Sequence, residues 1–280
     1  MILLSFGHGY SARALTKLLL PQGWRVIGTT RTAEKAEVLR GEGVEPVLWG
    51  EDLSKAIAEA THILTSAGPN ADGDPVLETY GTELAQHLGD KDWVGYLSTT
   101  GVYGDHAGGW VDEQTPLAPS TRRGQMRVEA EAAWQGLCPA VNIFRLAGIY
   151  GPGRGPFEKV RRGTARRIIK KGQVFSRIHV EDIAQVLEAS IRQPNPGAIY
   201  NMCDNDPAPP QDVIGYAAEL LGVPLPEAVD FEVAEMTPMA RSFYAESKKV
   251  SNTRILKELG VTLRYPDYRT GLKALLAAGE

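Results

Sequence analysis

The stretch Ile2-Leu3-Leu4-Ser5-Phe6-Gly7-His8-Gly9-Tyr10-Ser11-Ala12 decides the fold. Its apolar run, Ile2 to Phe6, is too short for a signal h-region or a membrane span and predicts a buried strand. The run breaks at Gly7 and gives way to helical spacing from Ser11 to Leu20. Gly7, Gly9 and Ala12 fall at the G-x-G-x-x-G/A spacing of a dinucleotide-binding loop, between a strand and a helix as that motif requires. Gly7 permits the sharp turn, Gly9 lets the backbone approach a pyrophosphate, and Ala12 allows the helix to pack closely on the strand. The helix start then offers unpaired N–H groups to an anion. His8, Tyr10 and Ser11 complete the expected cofactor loop, and the fold is expected to begin at Met1.

Outward from this loop, short apolar runs alternate with helix-patterned stretches, the order that builds a parallel sheet covered by helices on both faces. The runs predict strands at Ile2 to Ser5, Arg25 to Thr29, Val44 to Leu48, His62 to Ser66, Trp93 to Ser98 and Val141 to Arg145. Helical spacing covers Ser11 to Leu20, Ala33 to Arg40, Asp52 to Ala60, Pro75 to Leu88 and Gly124 to Trp134. Asp74 before Pro75 marks a helix start, because proline suits a first turn and aspartate can cap it. After Tyr150, Gly151, Pro152, Gly153, Gly155 and Pro156 crowd together and mark a loop leaving the sheet. Arg166 to Ile169 and Val174 to Ile178 predict two short strands joined through Lys170, Lys171 and Gly172. A helix over Val180 to Ile191 and a strand at Ile199 to Met202 follow, and the loop Asp204 to Pro210 opens a region of short helices ending near Leu276. The expected fold is α/β, a doubly wound parallel Rossmann sheet with a smaller C-terminal substrate lobe. Residues 1–150 plus 180–202 make the dinucleotide-binding domain, and 151–179 plus 203–280 the lobe.

A chain of 280 residues accommodates one large domain, or one plus a smaller one. Hydrophobic residues at 43%, charged residues at 23% and a net charge of −4 set aside disorder and binding of nucleic acid through bulk charge. Cys138 and Cys203 lie far apart and match no metal-ligand spacing, so neither a disulfide framework nor a metal site is expected. A reducing cytoplasm is the expected compartment, with no membrane partner.

About 20 residues beyond such a loop, Asp or Glu binds the ribose 2′-hydroxyl of NAD, whereas Arg accommodates the 2′-phosphate of NADP. Here the second strand ends in Thr29-Thr30-Arg31 with no carboxylate at the tip. Thr30 and Arg31 favour NADP(H), with NAD as the alternative.

Further blocks resemble one family, the extended short-chain dehydrogenases that include the NAD-dependent epimerases and dehydratases of sugar nucleotides. Leu97-Ser98-Thr99-Thr100-Gly101-Val102-Tyr103-Gly104 is similar to its strand-five block ending in Val-Tyr-Gly, and Arg145 to Gly153 to its strand-six exit ending in Tyr-Gly-Pro-Gly. His179-Val180-Glu181-Asp182-Ile183-Ala184 resembles its helix start after the substrate loop, and Tyr200-Asn201 the strand completing the larger domain. With the glycine loop these span residues 7–201 in the family's order. The resemblance implies that Asp52-Leu53 meets the adenine, although a helix-capping aspartate would look the same. It also implies that Ser66-Ala67-Gly68 lets the cofactor ribose lie against the backbone, and that two copies pair through the helices following strands four and five.

Members of the family work through a hydroxyl residue, a tyrosine that exchanges a proton with the substrate oxygen, and a lysine four residues later that holds the nicotinamide ribose. Thr99 falls at the hydroxyl position. The helix block should read Pro-x-x-x-Tyr-x-x-x-Lys-x-x-x-Glu, and the chain reads Pro119 to Glu131 with Arg123 at the tyrosine position and Arg127 at the lysine position. Arginine cannot exchange a proton near neutrality. Arg127 can still hold the ribose by hydrogen bonds, and Arg123 presents a fixed positive charge to the substrate. The remaining proton-donor candidates are Tyr103, Tyr150 and His179, of which only histidine titrates near neutrality.

Arg161, Arg162, Arg166, Arg167, Lys170 and Lys171 make a basic segment in the substrate-loop region, which Arg177 continues. It points either to an anionic small-molecule substrate, with Arg166 and Arg177 as ligands, or to a solvated hairpin whose charges protect an edge strand. No aromatic residue interrupts it to stack on bases, so nucleic acid is not expected. Ser247 to Asn252, before a helix closing at Leu259-Gly260, resembles the lysine-bearing start of a late family helix; a surface helix is the plainer alternative. Two functions are compatible with these residues. One is an NADP(H)-dependent oxidoreductase or epimerase-like enzyme on a small anionic or sugar-nucleotide-like substrate. The other is a catalytically silent NADP(H)-binding redox sensor or partner-binding protein.

Overall fold

Leu3, Leu4 and Phe6 have no exposed surface in β1 (Ile2–Phe6), as a strand covered on both faces requires. The structure is a computed structural model that describes all residues, Met1–Glu280. From β1 the chain alternates through α1 (Tyr10–Leu19), β2 (Arg25–Thr30), α2 (Ala33–Gly41), β3 (Glu45–Leu48), α3 (Ser54–Glu59), β4 (His62–Thr65), α4 (Pro75–His87) and β5 (Trp93–Thr99). A short β6 (Trp110–Val111), then α5 (Arg122–Leu137) and β7 (Asn142–Leu146), complete the first half. The second half runs β8 (Gly148–Tyr150), α6 (Phe157–Arg161), β9 (Arg167–Ile169), β10 (Arg177–His179), α7 (Val180–Arg192), β11 (Ile199–Met202), α8 (Pro210–Leu221), β12 (Ala228–Asp230), α9 (Pro238–Phe243), β13 (Lys249–Val250), α10 (Thr253–Glu258) and α11 (Tyr268–Ala277).

Seven parallel strands form the main sheet in the order β3-β2-β1-β4-β5-β7-β11. Winding reverses between β1 and β4, the switch point at which doubly wound sheets open a ligand crevice beyond their carboxyl ends. Phe6 pairs with Thr65 at that end, so Gly7 emerges beside Ser66 and Ala67. On one face, Ala12, Leu15 and Leu19 of α1 pack with Ile183, Leu187 and Ile191 of α7. On the other, Ile57, Val76, Tyr80, Leu84, Ala130 and Trp134 of α3, α4 and α5 close a second core.

The second half carries its own apolar cluster, in which Phe157, Val160, Ala217, Ala218, Leu272 and Leu275 join α6, α8 and α11. Its short strands differ from expectation. β9 and β10 do not join as a hairpin: β9 pairs in parallel with β12, and β10 with β8. Residues between them are held elsewhere, because the Gln173 amide donates to Glu246 O, and Phe175 and Ala208 exchange backbone hydrogen bonds. α5 also begins earlier than Gly124. The Thr121 hydroxyl accepts from Gly124 N at 3.1 Å and caps the helix, placing Arg122 and Arg123 in its first turn.

Candidate functional site

Gly7 has φ +70°, a left-handed conformation that favours glycine, and a Cβ there would stand 2.9 Å from Ala67 N. Gly7 N donates to Thr29 Oγ1 at 2.8 Å, and the Ser66 hydroxyl donates to Gly7 O at 2.5 Å, so the turn is tied to β2 and β4 together. A Cβ at Gly9 would meet only Gly7 O, at 3.6 Å, which leaves the approach to the backbone open. Gly9 caps α1 without a side chain, so the first-turn N–H groups gain no side-chain acceptor. Ser11 and Ala12 are buried beneath this turn. His8 turns inward: its ring lies where a Cβ on Gly28 would be, its Nε2 is 3.4 Å from Thr16 Oγ1, and burial holds its pKa down at about 4. Tyr10 reaches outward, donating from its hydroxyl to Pro152 O at 2.9 Å.

At the end of β2, Thr30 is buried and Arg31 is exposed. Asp52 accepts from both N and Oγ of Ser54, and these hydrogen bonds hold its carboxyl below the usual range. Leu53 is buried in the α3–α4 core. Ser66, Ala67 and Gly68 follow β4 in line, and a Cβ on Gly68 would lie 3.3 Å from Arg127 Nη2.

Arg127 therefore stands against Gly68. Its Nη1 donates to Tyr96 Oη at 2.7 Å and to Leu97 O at 2.9 Å, which fixes the cation on β5. Thr99, half-buried at the end of β5, accepts from Gly101 N at 3.2 Å and shapes the turn on which α5 rests. Arg123 is exposed one turn before Arg127. Arg31, Arg122, Arg123 and Arg154 are the arginines whose side chains make neither a hydrogen bond nor an ion pair, and all four flank the glycine loop's end of the sheet or the crossover after it.

The three proton-donor candidates are turned to structural tasks. Tyr103 has no exposed surface; its hydroxyl donates to Asn201 Oδ1 at 2.7 Å and accepts from Arg145 at 3.0 Å. That phenol belongs to a buried chain in which Arg145 also pairs with Glu131 at 2.8 Å, and Glu131 accepts from Ser98 at 2.5 Å. Tyr150 packs on α11, its Oη 2.0 Å from where a Gly271 Cβ would be, and burial pushes its phenol far up. His179 caps α7: its Nδ1 accepts from Glu181 N at 3.2 Å, and its ring lies tilted against that of Tyr265, with centroids 3.9 Å apart. Burial lowers its pKa to about 4, so it is neutral near pH 7. None of the three combines exposure with a pKa suited to acid catalysis.

The basic segment is dispersed in the lobe. Arg166 donates to Glu235 O, Arg167 to Pro226 O, Lys170 to Tyr244 O, and Arg161 to Glu280 O; Arg162 pairs with Glu158. Arg177 donates to Phe175 O and Ala208 O, and burial lowers its pKa. Ser247 and Lys248, ahead of α10, are buried, and α10 itself buries Ile255. Lys248 Nζ donates to Gly104 O at 2.7 Å and to Glu246 at 2.6 Å, and Ser120 donates to the same carboxylate at 2.6 Å. This strap ties the approach to α5 to the lobe. It had no periodic signal in the sequence, and neither did the Tyr96 partner of Arg127.

The glycine turn at the β1–β4 switch point, with the Arg127-bearing helix beside it, defines a nicotinamide-dinucleotide fold, and the chain belongs to the extended short-chain dehydrogenase family of NAD-dependent epimerases and dehydratases. It is similar to Protein YeeZ of Escherichia coli strain K12, 30% identical over 281 residues that cover 93% of this chain and 95% of that one. A solved structure of a functionally unknown conserved protein from Silicibacter pomeroyi is 60% identical, with a TM-score of 0.96 over 99% of this chain and 98% of that one. Human epimerase family protein SDR39U1, solved with NADPH, shares the fold at 20% identity and a TM-score of 0.79, over 99% of each chain. No family model matches the chain. No helix is long and apolar enough to cross a membrane.

Proposed function

We propose that the chain is an NADP(H)-binding oxidoreductase or epimerase-like enzyme acting on a small anionic or sugar-nucleotide-like substrate. The residues fit the dinucleotide: Gly7 makes the left-handed turn against Ala67, Gly9 leaves the backbone open, and the unpartnered Arg31 follows the second strand, where a 2′-phosphate is met. When bound, the nicotinamide supplies or accepts a hydride. His8, Tyr10, Ser11 and Ala12 complete the loop, Asp52 and Leu53 form the adenine side, and Ser66 to Gly68 with Arg127 hold the nicotinamide ribose. Thr99 orients the substrate oxygen, and Arg123 neutralises charge developing on it.

One observation carries this reading: Arg122 and Arg123 open α5 with no acidic residue in its first turn, and neither has a partner. Two cations at the positive end of a helix dipole repel that end, so an anion bound there is stabilised by both. The proton then comes from solvent or from the substrate itself, because Arg123 cannot supply it.

The inward placement of Tyr103, Tyr150 and His179 favours a second reading, a silent NADP(H)-binding sensor or partner-binding protein. Titration with NADPH and with NADH, by fluorescence and calorimetry, followed by a panel of carbonyl and sugar-nucleotide substrates, separates the two. NADPH-selective binding with turnover supports the enzyme. Binding without turnover supports the sensor, and binding of neither dinucleotide overturns both.

A further inference from the structure

We propose that Arg154 binds the diphosphate of the dinucleotide, carried to the glycine loop by a rigid turn seated on Tyr10; this rests on the dinucleotide site proposed above. Arg154 N donates to Gly151 O at 2.8 Å, closing the turn Gly151-Pro152-Gly153-Arg154. Proline at its second position and Gly153 at φ +71° at its third are the residues a type II turn needs. Pro152 O accepts from the Tyr10 hydroxyl at 2.9 Å. A Cβ on Gly151 would lie 2.6 Å from Tyr10 Oη and 2.7 Å from Val180 Cγ1, so the turn sits directly on Tyr10 and the start of α7. Gly153 N donates to the Glu280 carboxylate, a third anchor.

The turn delivers a cation. Arg154's guanidinium stands 4.8 Å from the centroid of the Tyr10 ring, and Tyr10 is the first residue of α1. The first turn of α1 has no acidic residue, and the glycine loop contributes only neutral N–H donors to an anion. A diphosphate carries two negative charges, and a guanidinium forks onto phosphate oxygens. The neighbouring cations Arg161 and Arg162 are engaged by Glu280 O and Glu158, whereas Arg154 is exposed and keeps its five donors free of protein partners. Stacking on Tyr10 orders the side chain before the ligand arrives.

The diphosphate is common to NADPH and NADH, whereas Arg31 faces a group that only NADPH has. Wild type, Arg154→Ala, Tyr10→Phe and Arg31→Ala are titrated by calorimetry with NADPH, NADH and adenosine 2′-monophosphate, which carries neither phosphate of the diphosphate. Arg154→Ala is expected to weaken both dinucleotides by the same factor, about tenfold for a lost charge-assisted hydrogen bond, and to leave the monophosphate unchanged. Tyr10→Phe, which frees the turn and keeps the ring, weakens both dinucleotides less. Arg31→Ala weakens NADPH and the monophosphate and spares NADH. Dinucleotide binding by Arg154→Ala as tight as wild type, or an equal loss for the monophosphate, overturns the assignment while leaving the dinucleotide site standing. If the wild-type chain binds neither dinucleotide, the site itself falls and the assignment with it. Arg154 is exposed, so unchanged melting of the variant confirms that the fold is intact.

Discussion

Arg127 is fixed to Tyr96 by a 2.7 Å hydrogen bond from Nη1 to the phenolic oxygen. Tyr96 has no exposed surface and points into the α5 face of the sheet, where its hydroxyl meets no other partner than this guanidinium. A strand position usually filled by an apolar residue thus carries the acceptor that an arginine, in place of a lysine, needs in order to be held beside Gly68.

Truncation should therefore act twice. Arg127→Ala removes the cation beside Gly68 and leaves a buried hydroxyl unpaired, which costs about 1–3 kcal/mol of stability. Dinucleotide affinity measured by calorimetry should fall about tenfold. Arg127→Lys should recover part of the affinity, because a point charge returns without the planar fork. Tyr96→Phe should weaken dinucleotide binding less than Arg127→Ala, since Leu97 O still holds the guanidinium.

The Glu131–Arg145 pair is the molecule's buried ion pair, with both side chains 3% exposed. Glu131→Gln removes the charge that Arg145 faces and disturbs the Ser98 and Tyr103 hydrogen bonds tied to the same pair. Leaving one member of such a pair uncompensated costs about 3–5 kcal/mol. Urea denaturation should show that loss as a lower midpoint, and a change below about 1 kcal/mol would contradict the role given to the pair.

Much of this molecule is legible before its structure. The five-residue apolar run and the Gly7-His8-Gly9 turn identify the switch point because strand burial and φ > 0 are local demands on composition. Arg123 and Arg127 are equally legible, since a helix puts residues four apart on one face. The partners of those side chains are not. Tyr96 meets Arg127 across a strand–helix contact, and Lys248 meets Gly104 across 144 positions, with no periodicity to announce either. The basic segment shows the same limit: charge is visible in sequence, whereas the carbonyls of Pro226, Glu235 and Tyr244 that receive it are not.

His179 should stay neutral through the physiological range. Burial is the main cause of its low pKa, with Glu181 opposing and Arg264 reinforcing the shift. A folded pKa of about 4 against 6.5 means that its stabilising contribution is complete above pH 6.5 and is lost as pH falls toward about 4. Because Nδ1 accepts from Glu181 N, the proton resides on Nε2. The His179 ring proton resonances should be flat from neutrality down to pH 6.5 and move only as pH approaches about 4; a midpoint near 6.5 would restore His179 as a proton donor.

Asp204 should give the opposite slope. It lies just beyond β11, 1% exposed, with Oδ1 accepting from Asp206 N at 3.2 Å and Oδ2 without a partner. Burial raises its pKa from 3.8 to about 8, against the opposing pull of the Asp206 hydrogen bond and the Arg177 charge. The folded chain then keeps a proton that the unfolded chain releases, so stability present below pH 3.8 is lost progressively as pH rises to about 8 and is flat beyond. Asp204→Asn removes the titration while keeping the acceptor for Asp206 N. Melting temperatures of variant and wild type should be closest at the acid end of that window and diverge toward about pH 8, with the variant the more stable there. A variant less stable than wild type at that pH would show instead that Asp204 is ionised in the fold and held by Arg177.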